Sequence, residues 1–286
     1  MSGKVFSVDD SIRDLDGFAR EVSERLLASG LRETALPEEF GLKSSFGKEP
    51  LEIRPRAWVG APESPLVYGR VVRIDGASRV QALNVVLIPR LGSGLPIFGA
   101  EILVFQRGVH LVVVDCFPTH ESALEEELVA LQGEMKREWG GRYELSELPE
   151  WGEGVFSPEV LILKPGAGKA PAVGPFVPAV DELLSAFLEK ADKARGEVRS
   201  ENRSGKALRK KYLVHHGEHE PAGPFLERIS SPEWVAEFTN SYLFPRWLIS
   251  EDQLPPWEEE RSQGLSCQEG GKFERRERKN LERAEG

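Results

Sequence analysis

The chain has 286 residues, of which 40% are hydrophobic and 29% charged, the composition of a folded globular protein with one large domain or two small ones. Its formal net charge of −10 excludes a general binder of nucleic acid or anionic membranes, because such partners require a positive field. No apolar run is long enough to span a bilayer, and two cysteines, Cys116 and Cys267, are too few for a disulfide framework, a four-thiolate zinc site or an iron–sulfur cluster.

The N-terminus has no apolar core of a signal peptide and carries four Asp within its first sixteen residues, which predicts a cytoplasmic protein, or one of the plastid stroma if a leader has been removed. From Asp10 to Leu27 the apolar residues Ile12, Leu15, Phe18, Ala19, Val22, Leu26 and Leu27 fall at steps of three and four, predicting an amphipathic helix. Residues 57–115 then read as extended segments: Ala57–Gly60, Leu66–Ile74, Val80–Ile88, Ile97–Phe105 and Val109–Asp115, separated by Pro and Gly. Their short connections favour an antiparallel meander. Helical patterns return at Glu121–Trp139, Pro178–Glu197, Asn202–Tyr212 and Pro232–Leu243, with another strand at Val160–Lys164. Helices flanking a central sheet in sequence predict an α+β fold, a three-layer α/β/α sandwich with a mainly antiparallel sheet. Residues 251–286 have 17 charged side chains among 36 and too few large apolar ones to offset the entropy of ordering, so a disordered tail is expected there.

The segments Leu83–Pro89 and Pro96–Phe105 are joined by Arg90–Leu95. If the hairpin is symmetric about that loop, residues whose numbers sum to 185 are paired, and Asn84 meets Glu101 on one face amid apolar neighbours. A carboxylate there finds a cationic partner or has its pKa raised, and a raised pKa makes a proton donor near neutrality. The same pattern fits a carboxylate facing solvent on an edge strand. A second polar concentration runs from Tyr212 to Pro221, where His215 and His219 sit four apart beside Glu218 and Glu220. These are metal-ligand types, but the spacing is no zinc signature, and Gly217 and Pro221 predict a solvated loop. Gly166–Ala170 resembles a phosphate loop only superficially and reads as a flexible loop; no dinucleotide fingerprint follows any strand, and Gly-x-Ser-x-Gly is absent.

Gly94-Leu95-Pro96-Ile97-Phe98-Gly99-Ala100-Glu101-Ile102 and Val112-Val113-Val114-Asp115-Cys116-Phe117-Pro118 resemble the core of the ferredoxin-dependent bilin reductases. Phe156-Ser157-Pro158 is similar to that family's Phe-Ser-Pro segment. Tyr212 through Ala222, Pro232-Glu233-Trp234 and Tyr242-Leu243-Phe244 resemble its C-terminal helical motif. The resemblance covers about residues 15 to 247 and implies a reductase domain over 1–250. It also implies reduction of biliverdin or a dihydrobiliverdin through bilin radicals, with ferredoxin as external electron donor and no bound cofactor or metal.

By position in those motifs, Glu101 and Glu220 stand where the family commonly has catalytic Asp residues. Asn84 occupies a site that is His, Asp or Asn in different branches, Asn in the phycoerythrobilin branch. Lys164 is similar in position to an Arg that binds a bilin propionate, and Phe98 is taken as a further substrate contact. Each Asp-to-Glu departure moves the acidic oxygen by about 1 Å, enough to alter which carbon is protonated. Arg73-Ile74-Asp75 and Leu103-Val104-Phe105 resemble most the enzyme that converts biliverdin to 15,16-dihydrobiliverdin. The partners implied are the bilin, ferredoxin and a downstream bilin reductase, with a monomeric enzyme, no nucleic acid and no membrane. Lys206, Arg209, Lys210 and Lys211 are the candidate ferredoxin-docking cations. A non-catalytic bilin carrier of the same fold, and a metal-dependent hydrolase using His215, His219 and Glu220, are the rival readings.

Overall fold

The structure is a computed structural model and describes residues 8–77, 79–105, 108–119, 122–165, 172–196, 203–249 and 252–258. The chain divides into two compact units, Met1–Gln253 and Leu254–Gly286. The first holds the sheet and the helices below. Of the second only 254–258 are described, so most of the expected disordered tail lies outside the described residues, as do Gly166–Ala170 and Cys267.

The first helix, α1 (Val8–Ala28), follows the predicted stripe: Leu15, Phe18, Val22 and Leu26 are all buried. Gly30 leaves it at φ 78°, a left-handed conformation that favours glycine. Eight strands follow in one sheet: β1 (Leu31–Thr34), β2 (Leu42–Phe46), β3 (Glu49–Gly60), β4 (Leu66–Gly76), β5 (Val80–Pro89), β6 (Ile97–Phe105), β7 (Gly108–Phe117) and β8 (Leu161–Leu163). Their order is β1-β3-β4-β5-β6-β7-β8, with β2 also pairing β3, and every pairing is antiparallel. Strands β1 and β2 were not anticipated, because Leu31–Thr34 and Leu42–Phe46 carry little apolar alternation.

Two helices, α2 (Ala123–Gly140) and α3 (Val177–Lys193), join α1 in one apolar core with a single face of the sheet, built around Trp58, Leu83, Leu87, Phe98, Ile102, Val112, Phe176 and Phe187. The opposite face receives the C-terminal elements: α4 (Arg203–Glu218), α5 (Gly223–Leu226), α6 (Pro232–Glu237) and a π-helical turn, Phe238–Leu243. The Tyr242 hydroxyl pins this layer, accepting from the Arg56 amide at 3.1 Å and lying 3.0 Å from both the Arg56 and Val71 carbonyls. The result is the predicted α/β/α sandwich. The predicted loop at Tyr212–Pro221 is corrected: α4 continues through Gly217 to Glu218. Packing of its last turns against Trp151 and Phe244 outweighs the roughly 1 kcal/mol that one glycine costs a helix. Pro221 falls beyond the helix end and breaks nothing.

Candidate active site

Two neighbouring rungs of the sheet face α4. One aligns Arg70, Val86, Gly99 and Asp115 across β4 to β7; the next aligns Val72, Asn84, Glu101 and Val113. Residues two apart on a strand share a face, so a cation, an amide and two carboxyls come from four adjacent strands to one surface. The Asn84–Glu101 pairing is the one the hairpin symmetry predicts. From the opposite layer, α4 contributes Tyr212 and His216, and the turn after it contributes Glu220. A cavity of about 560 Å³ lies between, closed by Leu148, Trp151 and Phe156 on one side and Phe244 on another. That volume lies within the range of small-molecule pockets, about 300–1,000 Å³.

Hydrogen bonds fix the orientation of the floor. Arg70, 1% exposed, donates from Nη1 to Asn84 Oδ1 at 2.8 Å and from Nε to the Leu243 carbonyl at 2.7 Å, with its guanidinium over the Phe244 ring. Because Oδ1 of Asn84 is taken by a cation, its amide nitrogen is left to donate, and Glu101 accepts from it. Burial pushes the Glu101 carboxyl up to about 7; the nearby Glu220 charge adds to this, and Arg70 and Asn84 oppose it. Glu220 is raised as well, again by burial, against the Ala222 amide, which donates to Oε1 at 2.9 Å, and against Arg70. Two carboxyls from distant parts of the chain thus hold protons unusually tightly beside one cavity, with one buried cation between full neutralisation and none.

The residues around this pair were partly hidden in the sequence. Burial raises Asp115 to about 6, while Ser157 Oγ at 2.5 Å and Gln132 Nε2 at 2.9 Å stabilise its charged form. His216 is lowered to about 4 by burial, so it is neutral near pH 7, and its Nε2–H donates to the Val155 carbonyl at 3.0 Å. The Tyr212 hydroxyl lies so close to Gly99 that a Cβ there would sit 3.3 Å from it, so a larger residue at 99 would make Tyr212 give by a few tenths of an ångström. The available signals were single polar residues interrupting apolar strands: Arg70 in Leu66–Ile74 and Asp115 at the end of Val109–Asp115.

Two expectations, Phe98 as a substrate contact and Arg209 as a docking cation, are corrected. Phe98 does not line the cavity; as the neighbour of Gly99 it points through the sheet, is 0% exposed and packs on Phe187 of α3. Arg209 is no docking cation: it is 2% exposed and holds Asp252 at 2.7 Å and the Pro89 carbonyl at 2.5 Å. Arg73 and Asp75 also stand away from the cavity, Arg73 binding Asp16 of α1 at 2.8 Å. Lys164 lies exposed at the cavity rim, just beyond β8. His215 and His219 stack on one another at 4.1 Å between centroids, His215 Nε2 meeting the Trp151 carbonyl and His219 Nδ1 the His215 carbonyl. Among the described residues no cluster of His, Cys, Asp or Glu is arranged to hold a metal, and no helix is long and apolar enough to cross a membrane.

Comparison with known proteins agrees with this architecture. The family described as ferredoxin-dependent bilin reductase matches residues 19–245. A phycoerythrobilin:ferredoxin oxidoreductase of Gloeobacter violaceus is 29% identical over 184 residues, 61% of this chain and 72% of the relative. One from Nostoc punctiforme is 27% identical, covering 61% and 69%. The crystal structure of phytochromobilin synthase from tomato in complex with biliverdin superposes with a TM-score of 0.64 at 19% identity, over 85% of each chain.

Proposed function

The chain belongs to the ferredoxin-dependent bilin reductases, and from that premise we propose that its cavity takes biliverdin and reduces it to 15,16-dihydrobiliverdin, with Glu101 and Glu220 as the proton donors. The observation that carries this reading is the pair of raised carboxyls on opposite walls of one cavity. Saturating one double bond consumes two electrons and two protons. Reduced ferredoxin delivers electrons singly, so the ligand passes through a radical, and each electron is matched by a proton from one of the two acids. Asn84, its amide held by Arg70, hydrogen-bonds the pyrrole system. Lys164 offers a rim charge to a propionate, as a point charge without a bidentate fork. Lys206, Lys210 and Lys211 of α4 form the basic side to which an acidic ferredoxin docks.

The test is anaerobic turnover of biliverdin and, separately, of 15,16-dihydrobiliverdin with ferredoxin and a reducing system, the products separated by chromatography. Conversion of biliverdin to the 15,16-dihydro product is expected. A bilin that binds and keeps its spectrum under reducing conditions would identify a carrier. The names of the Gloeobacter and Nostoc relatives favour a second reading, in which phycoerythrobilin is the product; consumption of dihydrobiliverdin with biliverdin left intact would select it.

A further inference from the structure

Arg70 is a charged side chain on the cavity floor to which the two-acid scheme gives no contact with the substrate. A guanidinium carries five N–H donors in a planar fork. Arg70 commits one Nη1 hydrogen to Asn84 and Nε to the Leu243 carbonyl, and among the described residues no acceptor meets the rest of the fork. A buried cation that lines a cavity with open donors needs an acceptor from outside the chain.

The surroundings say which acceptor. Glu101 and Glu220 stand within the field of Arg70, which opposes the rise in their proton affinity, so an anionic substituent paired with Arg70 would cancel that field and hold their protons more tightly, against their role as donors. A neutral carbonyl oxygen carries no such penalty, and an open-chain tetrapyrrole ends in lactam carbonyls. The rim cation Lys164 remains for the charged side chains.

Resting on the bilin reading above, we propose that Arg70 contacts the substrate directly: its open guanidinium edge holds a lactam carbonyl oxygen beside the two acids. The interaction strengthens as the reaction starts. An electron from reduced ferredoxin turns the bound bilin into a radical anion, part of whose charge falls on the conjugated carbonyl oxygen facing Arg70. A proton from one glutamic acid then neutralises it, and the second electron and proton repeat the sequence. A fixed cation aimed at charge that develops only after electron uptake stabilises that state more than the ground state.

Arg70→Gln and Arg70→Lys in the full chain test this, with three readouts: kcat and KM for the bilin, the reduction midpoint of the bound bilin, and its carbonyl stretch by infrared difference spectroscopy. Arg70→Gln should lower kcat by about a hundredfold, the scale of one lost oxyanion donor, with KM changing less. It should also move the midpoint to more negative potential and shift one carbonyl band upward. Arg70→Lys should recover part of the rate, since it keeps the charge without the fork. Arg70 also ties down Leu243; if Arg70→Gln fails to fold, the Arg70→Lys and wild-type spectra decide. Equal carbonyl bands in those two complexes, or an unchanged kcat and midpoint in a folded Arg70→Gln, overturn the assignment. Failure of the wild type to reduce any bilin sinks the reading beneath it, whereas wild-type turnover with indifferent Arg70 variants sinks this inference alone.

Discussion

On β6, Phe98 and Ile102 go to one side of the sheet, and Gly99 and Glu101 go to the other. The first side is packed by an apolar cluster with α1, α2 and α3; the second holds a cavity and raised carboxyls. Alternate residues of the same strands therefore do opposite thermodynamic work. Desolvating Asp115, which is buried, and Glu101 and Glu220, which are half-buried, costs stability that a packed face of the same size would not, and the apolar face must more than offset it. A substitution on the first face should thus move stability and spare chemistry, and one on the second should do the reverse.

The largest effect falls on the packed face. Phe98→Ala should cost about 3–5 kcal/mol of stability, the usual consequence of emptying a buried aromatic site, read as a lower denaturation midpoint. Where the protein remains folded at low temperature, KM for the bilin should be near wild type. A large change in KM with little loss of stability would place Phe98 in the site after all.

Glu101→Gln probes the other face. Losing a general acid should lower kcat by about a hundred- to ten-thousandfold, with the bilin still bound and its binding spectrum retained. Stability should hold or rise, since a costly buried carboxyl becomes a neutral amide of similar shape. Normal turnover in this variant breaks the assignment of Glu101 as donor.

The same residue should impose a pH dependence. Glu101 titrates near 7 in the folded protein against an ordinary value of 4.5, so between those values the folded state binds more protons than the unfolded one. Its contribution to stability is complete below about 4.5 and declines as pH rises through about 7, by about 1.4 kcal/mol per unit in that window. Wild type should lose that much relative to the E101Q variant, which lacks the titrating group. kcat should fall about tenfold per unit above pH 7 as the donor ionises. Parallel stability profiles for the two proteins would show that Glu101 is not held protonated.

How much of this was legible follows the same division. The Asn84–Glu101 register could be read because a symmetric hairpin fixes pairing by arithmetic alone, and the stripe of α1 because one face of that helix is uniformly apolar. The polar pattern singled out Glu220 only as a metal-ligand type, and its role as an acid was reachable only through family resemblance: its cavity position depends on how the turn after α4 meets strands more than 100 residues away in sequence, which no local pattern encodes. Phe98 and Arg209 were misplaced for one reason. Residue type does not say to which side a strand or helix turns a given position, so an aromatic inside a functional motif turned to the core and an arginine in a basic run turned inward to Asp252.

The smallest effect belongs to the outer surface of α4, and it tests whether the polar face extends its role to the partner. With Arg209 removed from the basic set, Lys206, Lys210 and Lys211 remain; Lys210 and Lys211 are exposed and Lys206 half-buried, on the helix whose inner side presents Tyr212 and His216 to the cavity. Charges so placed act on encounter with an acidic donor and not on the chemical step, so reversing Lys210 and Lys211 to Glu should raise KM for ferredoxin by about three- to tenfold at low ionic strength and leave kcat unchanged. Near 1 M salt, where the Debye length is about 3 Å, the variant and wild type should converge. A KM for ferredoxin that ignores both the reversal and the salt would move docking to another face of the molecule.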